Sequence, residues 1–430
     1  MKSFSFSRIR SYIVLVALLL LTGGMGYRLG ERHALPFIST STSPVQTVTN
    51  TSNPPSASAD FSLFWNVWQK MFQYYFDAKT LDAQKMVYGA ITGMVASAGD
   101  PFTSFLPPKE NQDFKQDIGG EFEGIGAQLD LKDGRIIVAT PLKGSPAEAA
   151  GIKPGDYILK VDGQDTTGWT VQDAVTKIRG PRDTKITLNI LHTNARAPVD
   201  IPVTRNTILV PSVESWVKSV SSITEIKDAS ESAQIVNRPD RIAYLKLSRF
   251  GDHTNDDWIH AVDGILAEQK NGEIKGLVFD LRNNPGGYLE GAVFIASEFI
   301  KSGTVVSQKN SDGTKQDLTV DRAGRLTDMP MVILVNKGSA SAAEIVAGAL
   351  KDYNRGKIVG ETTFGKGSVQ TPFDLTQGAS VHITTGKWFL PKGDSISQKG
   401  ITPDVVVVPP DLYSATDDTQ LAKAIDLLLR

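Results

Sequence analysis

Two serines, Ser339 and Ser341, lie in the stretch NKGSASAAEIVAGAL, where an apolar run ends and a helical stripe of apolar residues begins. The pattern predicts a strand followed by a helix, with Ser341 in or near the first helical turn. Free backbone N–H groups point outward there, and the helix dipole favours negative charge. A serine at that point can place its Oγ beside donors suited to an oxyanion, although such serines are also typical helix caps. Ser339 is the more natural cap, which leaves Ser341 as the candidate nucleophile.

A nucleophilic serine needs a base, and the histidines supply no recognisable one. The chain has no G-x-S-x-G elbow. None of its five histidines lies in a catalytic sequence motif; they are His33, His192, His253, His260 and His382. Lys366, between two glycines in ETTFGKGSVQTPF, is the alternative base. Burial or a nearby positive charge would have to lower its pKa by roughly 3 units from about 10.4.

The surroundings of Lys366 decide between a base and an ordinary lysine. A lysine flanked by glycines is, taken alone, more typical of an exposed loop. Gln370, four residues further on, falls on the same face if the segment is an extended strand. Its amide oxygen could orient the amine without adding charge, whereas a carboxylate would raise the pKa of Lys366.

A third group of residues follows the apolar run GLVFDL, in the stretch VFDLRNNPGGYLEG. A Pro-Gly-Gly turn exposes backbone N–H groups with no side chains in the way. The N–H groups of Gly287 and Ala342 could together form an oxyanion hole. Asp280 and Arg282 are better interpreted as a structural ion pair at the strand end than as catalytic groups.

The elements that must position these residues have an α/β pattern from Arg241 onward. The runs IAYLKL, GLVFDL, MVILVN and KIVGE are almost continuously apolar, as expected of parallel strands covered on both faces. Helical stretches lie between them, and DTQLAKAIDLLLR predicts an amphipathic helix at the C-terminus.

The region from about Gly119 to Val203 alternates short β-like runs with glycine turns, and it contains one helical pattern that ends at Gly180-Pro181. Its run SPAEAAGIKPGDYILKVDG resembles the core signature of a PDZ domain, and GIGAQL resembles the carboxylate-binding loop of such domains. In that loop, backbone N–H groups converge on the terminal carboxylate of a peptide, which adds as a strand to a sheet edge. The substrate-binding candidates are therefore the four residues Gly124, Ile125, Gly126 and Ala127.

The N-terminus predicts export from the cytoplasm. Lys2, Arg8 and Arg10 precede a stretch without charge from Ser11 to Tyr27, which is typical of a short membrane anchor or of a signal peptide. The positive flank would stay in the cytoplasm. A Ser/Thr/Pro-rich stalk follows, and then a small helical element that begins near Phe61. The chain has no cysteine, which excludes disulfides and thiol catalysis, and its net charge of −2 gives no support for nucleic acid as a partner.

Taken together, the chain resembles a carboxyl-terminal processing protease, a tail-specific, PDZ-containing serine peptidase of the S41 family. The motifs that carry the resemblance are EFEGIGAQL, SPAEAAGIKPGD, KIRGPRDT, DLRNNPGG, NKGSASAAEI, GETTFGKGSVQ and KGITPDVVV, and none of the family's motif residues is missing. The resemblance implies that Ser341 is the nucleophile, Lys366 the general base and Gln370 the partner of Lys366. It places the oxyanion amides on Ala342 and on Gly287, with Gly286 as the alternative.

The resemblance also implies the organisation of the chain. We expect a multi-domain α/β protein in which a PDZ domain is inserted before a ClpP/crotonase-like protease core. The expected parts are an N-terminal membrane or signal segment (1–38), a flexible stalk (39–60), a helical element (61–116), the PDZ domain (117–206) and the protease core (207–430). The catalytic part would lie outside the cytoplasm, held to the cell membrane by one span or secreted.

The implied activity needs no metal and no cofactor. The expected partners are protein or peptide substrates with apolar C-termini, the membrane, and a second copy in a homodimer. The main alternative is an anchored PDZ adaptor without proteolysis, for which Ser341 would be dispensable. A trypsin-like protease with a PDZ domain would need a His-Asp-Ser order before that domain, and none is present. A tricorn-like relative with other bases is disfavoured by the intact Lys366.

Overall fold

The computed structural model describes residues 60–193, 195–227, 229, 235–409 and 417–430. The predicted membrane segment and all but the last residue of the predicted stalk lie outside these ranges. Among the described residues, no helix combines the length and the apolar character that a membrane span requires. The chain divides into two compact units, one that ends at Val87 and one from Tyr88 to the C-terminus.

The first unit contains one helix and the start of another, both within the predicted helical element. Helix α1 spans Ser62–Tyr74, and helix α2, which spans Ala83–Ala96, continues into the second unit. None of the residues of α1 is buried, and its rings contact one another, with 6.1 Å between the centroids of Phe64 and Trp68.

The stretch DPFTSFLPP, which follows α2, contains two adjacent prolines that would end a helix, but the structure shows more than a break there. It forms a short strand, β1 (Ser104–Leu106), and then helix α3 (Pro108–Gly119). Strand β1 pairs antiparallel with a strand near the C-terminus, with Ser104 opposite His382. The predicted helical element therefore contributes a strand to the second unit.

The PDZ-like region folds as its motifs predict. Its main sheet has the order β3-β4-β5-β7-β8, with β6 at the side of β5, and its strands are β3 (Ala127–Lys132), β4 (Arg135–Pro141), β5 (Tyr157–Val161), β6 (Gln164–Asp165), β7 (Lys185–Leu191) and β8 (Val199–Thr204). The helices are α4 (Pro146–Ala149) and α5 (Val171–Ile178). A capping box between Thr170 and Asp173 starts α5, and the helix stops before Gly180-Pro181 as predicted.

A two-stranded ribbon connects this sheet to the rest of the second unit. Strand β2 (Glu121–Gly124) enters the PDZ-like region and pairs with β9 (Asn206–Leu209), which leaves it.

The α/β core is built on a six-stranded sheet of order β10-β11-β12-β15-β16-β19. Its strands are β10 (Val213–Ser219), β11 (Arg241–Leu247), β12 (Leu277–Asp280), β15 (Met331–Val335), β16 (Lys357–Gly360) and β19 (Val405–Val406). All neighbours are parallel except β10 and β11. The apolar runs that predicted parallel strands correspond to the four central strands, and β12 and β15 are buried throughout.

Helices cover both faces of this sheet. They are α6 (Thr254–Lys270), α7 (Leu289–Ser297), α8 (Ala342–Asp352) and α9 (Thr419–Leu428). Phe279 packs in one hydrophobic cluster with residues of α6, α7 and α8, whereas its neighbour Val278 packs in another with residues of α9. Successive strand residues point to opposite faces, so both faces must be apolar, as the continuous runs indicated.

The second sheet of the α/β region is antiparallel and was not predicted as a unit, although the segment of Lys366 and Gln370 was expected to be an extended strand. Its order is β1-β18-β13-β14, with β17 paired to β18, and its further strands are β13 (Thr304–Asn310), β14 (Lys315–Thr319), β17 (Ser368–Asp374) and β18 (Ser380–Phe389). This sheet carries the segment of Lys366 and joins it to β1.

Candidate active site

Ser341 occupies the junction between β15 and α8 in a strained backbone conformation. It is the N-cap residue of α8, with φ 54° and ψ −119°. Positive φ is uncommon for a residue with a side chain and is typical of functional sites. Gly286 approaches so closely that a Cβ built on it would lie 2.7 Å from Ser341 Cβ. The Pro-Gly-Gly turn and Ser341 therefore meet, as the predicted oxyanion hole requires.

Ser339 has a structural role, but not the one expected of it. Its side chain is buried, and its hydroxyl donates to Leu281 O at 2.8 Å and accepts from the N–H of Asn336 at 3.0 Å. The expectation that Ser339 caps the helix is wrong, because Ser341 occupies the N-cap position. Buried and engaged in this way, Ser339 is not available for chemistry.

Glu344 joins the segments of Ser341 and Lys366. Its carboxylate is fully buried and accepts four hydrogen bonds: Oε2 from the backbone N–H groups of Ser341 (2.9 Å) and Lys366 (2.9 Å), and Oε1 from the N–H of Gly365 (2.7 Å) and the hydroxyl of Thr363 (2.5 Å). Sequence reasoning missed this residue. The signal was present, because Ser341-x-x-Glu344 is a capping-box spacing, in which the acidic side chain reaches back to the N-cap N–H.

Lys366 lies just before β17 and is half-buried. Burial lowers the pKa of its amine, and the negative charges of Asp100 and Glu344 act in the opposite direction. Its Nζ lies 5.4 Å from the centroid of the Phe102 ring and makes no hydrogen bond to any of the described residues. Partial desolvation is the condition under which a lysine becomes a base.

Gln370 lies on β17 opposite Thr384. Its amide nitrogen donates to Ser368 Oγ at 2.9 Å and to Thr384 Oγ1 at 3.1 Å. Among the described residues the structure records no hydrogen bond between Gln370 and Lys366. The even spacing does not fix a shared face, because Lys366 precedes the first residue of the strand.

The predicted oxyanion donors differ in their availability. The N–H of Gly286 already donates to Asn284 Oδ1 at 2.8 Å. The N–H of Gly287 has no acceptor among the described residues, and Ala342, the first residue of α8, has no acceptor within its own helix. The hydrogen bonds therefore favour Gly287 over Gly286.

The interpretation of Asp280 and Arg282 as a structural ion pair is confirmed. Arg282 Nη2 lies 2.6 Å from Asp280 Oδ2, and the guanidinium also binds both carboxylate oxygens of Asp418 at 2.8 Å. Asp418 is the N-cap residue of α9, and its carboxylate also accepts from the N–H of Leu421. The cluster fastens the C-terminal helix to the end of β12.

The predicted carboxylate-binding loop lines a small cavity of about 70 Å³ against helix α5, with the lining residues Phe122, Gly124, Ile125, Gly126, Ala127, Leu129, Val175, Ile178 and Arg179. Gly126 has φ 74°, and a Cβ there would lie 2.5 Å from Ser145 Cβ, so the loop conformation requires glycine. The Arg179 guanidinium lies over the Phe122 ring at 4.8 Å.

A serine at a helix start and a half-buried lysine are thus held by one carboxylate, in a chain that also has a PDZ-like region, and this arrangement agrees with the class of PDZ-containing serine peptidases. Comparison with known proteins agrees. Residues 241–407 match the model of peptidase family S41, and residues 112–191 match that of the PDZ domain. The chain belongs to the S41 family of carboxy-terminal processing proteases, serine peptidases that hydrolyse peptide bonds.

Two curated relatives and one solved structure illustrate the similarity. Carboxy-terminal processing protease CtpA of Bacillus subtilis is 38% identical over 77% of this chain and 66% of the relative. A probable CtpA-like serine protease of Staphylococcus haemolyticus is 36% identical over 81% of this chain and 68% of the relative. This chain thus spans about two thirds of each relative. The structure of a putative S41 protease from Bacteroides fragilis covers 88% of this chain and all of its own, at 17% identity and a TM-score of 0.53, which indicates a shared fold.

Proposed function

We propose that this chain is an extracytoplasmic endopeptidase that captures substrate C-termini with its PDZ domain and cleaves with Ser341 as nucleophile and Lys366 as base. The observation that carries the proposal is the carboxylate of Glu344, which binds the backbone N–H groups of both residues at 2.9 Å. One buried group thereby fixes the start of α8 and the segment before β17 relative to each other.

The proposed reaction begins with the neutral amine of Lys366. The amine takes the proton from Ser341 Oγ as this oxygen attacks the carbonyl carbon of the scissile bond. The N–H groups of Gly287 and Ala342 stabilise the oxyanion, and the ammonium then gives its proton to the leaving amine. Water hydrolyses the resulting acyl-enzyme, with Lys366 again as base. Gln370 supports Lys366 indirectly, through its bonds to Ser368 at the start of β17 and to Thr384 on β18.

The PDZ part of the proposal rests on the loop that contains Gly124, Ile125, Gly126 and Ala127. Backbone N–H groups of this loop bind the terminal carboxylate, and the cavity of about 70 Å³ takes the terminal side chain. Its apolar walls and small volume favour a small apolar residue at the substrate's end.

The location is proposed from the N-terminal sequence. The apolar stretch from Ser11 to Tyr27 follows three cations, so it would hold the chain in the membrane with the catalytic part outside the cytoplasm. A reporter enzyme that is active only outside the cytoplasm, fused after Asp60, tests this. Activity of the reporter supports the proposal, and an inactive but intact fusion contradicts it.

The activity is tested with the purified full-length chain and an unstructured peptide that has a free apolar C-terminus. Ser341→Ala and Lys366→Ala should each abolish cleavage, whereas Lys309→Ala, which removes an exposed lysine from β13, should not. Amidation of the peptide's C-terminus should raise KM. If Ser341→Ala retains every function of the chain, the anchored adaptor is the correct alternative.

A further inference from the structure

We propose that Phe102 is a positioning residue of the active site, whose ring keeps water away from the amine of Lys366. This inference rests on the proposed role of Lys366 as base. Phe102 precedes both matched regions, since the PDZ match begins at residue 112 and the peptidase match at residue 241. The peptidase core would thus take part of its site from a segment on the other side of the PDZ domain.

The geometry around the amine carries the proposal. The centroid of the Phe102 ring lies 5.4 Å from Lys366 Nζ. The ring of Phe364 packs edge-on against the ring of Phe102, with 6.4 Å between the two centroids. Within the described residues Nζ has no hydrogen-bond partner, so an aromatic face stands where a polar acceptor would otherwise hold the ammonium.

Phe102 is held firmly enough for this role. The Asp100 carboxylate accepts from the N–H of Phe102 at 3.1 Å and from Thr103 Oγ1 at 2.6 Å. Thr103 Oγ1 in turn accepts from the N–H of Thr384 on β18 at 3.0 Å. The next residues form β1, which pairs with β18, and Phe105 is buried. The position of the ring is therefore set by the same antiparallel sheet that carries β17.

Two opposite effects of the ring on the amine must be weighed. Exclusion of water disfavours the ammonium, whereas the negative face of the ring attracts it. At 5.4 Å the contact is near the limit of about 6 Å for such attraction, and phenylalanine is not the strongest ring for it. We therefore expect exclusion of water to dominate.

Three other titratable groups face Lys366. Burial lowers the pKa of Lys366, while Asp100 and Glu344 raise it. His382 on β18 is the third, and its own pKa is lowered by burial and then by the positive charge of Lys366. The Phe102 substitutions leave all three of these side chains in place. A shift in the pH dependence would therefore report the loss of the Phe102 ring.

The test compares pH profiles of kcat/KM for the full-length wild type, Phe102→Ala and Phe102→Leu. Opening the site with alanine should raise the pKa of Lys366 and move the acid limb to higher pH. Because each pKa unit lowers the neutral fraction about tenfold, we expect a loss of roughly 3- to 10-fold at pH 7 that is recovered at higher pH. Leucine, which still excludes water, should keep the wild-type limb. Phe373→Ala, which removes an exposed ring from β17, is the matched control.

A second measurement does not depend on activity. In a Ser341→Ala background, the rate at which an amine-acylating reagent modifies Lys366 is followed against pH by mass spectrometry. The midpoint of this curve reports the pKa, and it should lie higher with Phe102→Ala than without it. Phe102→Val, a smaller opening, replaces the alanine variant if that variant does not fold.

The outcomes separate this inference from the proposed function. If Lys366→Ala cleaves like the wild type, the proposed base is wrong and this inference is overturned with it. If Lys366→Ala is inactive but Phe102→Ala keeps the wild-type acid limb and modification midpoint, only the role of Phe102 is refuted. If Phe102→Ala moves both the acid limb and the modification midpoint to lower pH, attraction by the ring outweighs exclusion of water, and the proposed role of Phe102 is again refuted.

Discussion

Glu344→Gln should lower the activity, while the activity that remains should extend to lower pH than in the wild type. Each carboxylate oxygen of Glu344 accepts two hydrogen bonds, as described above. In glutamine one of these oxygens becomes an NH₂ group, which would face two donors in either orientation of the amide. Two buried donors would lose their acceptor, at about 1–3 kcal/mol each, so the total cost is about 2–6 kcal/mol.

This cost should appear partly as lower stability and partly as lower kcat, because the donors include the backbone N–H groups of Ser341 and Lys366. The loss of charge has a second effect. Since the Glu344 carboxylate raises the pKa of Lys366, its removal should lower that pKa and move the acid limb of kcat/KM to lower pH. The residual activity of the variant should therefore persist to lower pH than that of the wild type.

The assay combines urea unfolding with pH profiles for the wild type, Glu344→Gln and Glu344→Asp. Aspartate keeps the charge but is one methylene shorter, so it should lose stability without the acidic shift of the limb. A Glu344→Gln protein with wild-type kcat/KM and an unmoved acid limb would refute the reasoning, because both the hydrogen bonds and the charge would then be irrelevant to catalysis.

Three further predictions concern residues away from the reacting atoms. Ser339→Ala should lower the free energy of unfolding, measured with urea, by about 1–3 kcal/mol, while the folded fraction keeps the wild-type kcat. The reason is that the buried carbonyl of Leu281 loses its donor and the half-buried N–H of Asn336 loses its acceptor. Asp418→Asn weakens the bidentate bond to Arg282, so it should cost about 2 kcal/mol in the same assay and detach α9 first in hydrogen exchange. His253→Gln should cost stability only at low pH. The hydrogen bond that His253 Nε2 donates to the Glu121 carboxylate raises the pKa of His253, so its contribution is full below the ordinary histidine pKa and is lost as pH rises through the raised value. If the difference in free energy of unfolding between the wild type and His253→Gln does not shrink between pH 6 and 9, the prediction is contradicted.

The sequence predicted the central sheet well for a physical reason. Strands such as β12 and β15 are buried on both faces, so their apolar character is continuous and needs no knowledge of their neighbours. The antiparallel sheet left a weaker signal: the segment of Lys366 and Gln370 was expected to be extended, but the sequence did not indicate which strand it pairs with. In β14 and β17 most residues are exposed or half-buried and polar, and only their pairing with β13 and β18 makes them strands.

The candidate site divides in the same way. Ser341, Lys366 and the Pro-Gly-Gly turn could be identified because each carries a local pattern. The groups around the Lys366 amine could be identified only in part. Glu344 carries the capping-box pattern, whereas Asp100 and Phe102 come close to Lys366 only through the pairing of β1 with β18. A lysine between two glycines is an ordinary exposed residue until a distant segment covers it, so the step from motif to base depends on tertiary structure. The property that would make Lys366 a base is therefore conferred by residues far from it in the chain, and substitutions there should alter the pH range of cleavage before they alter the fold.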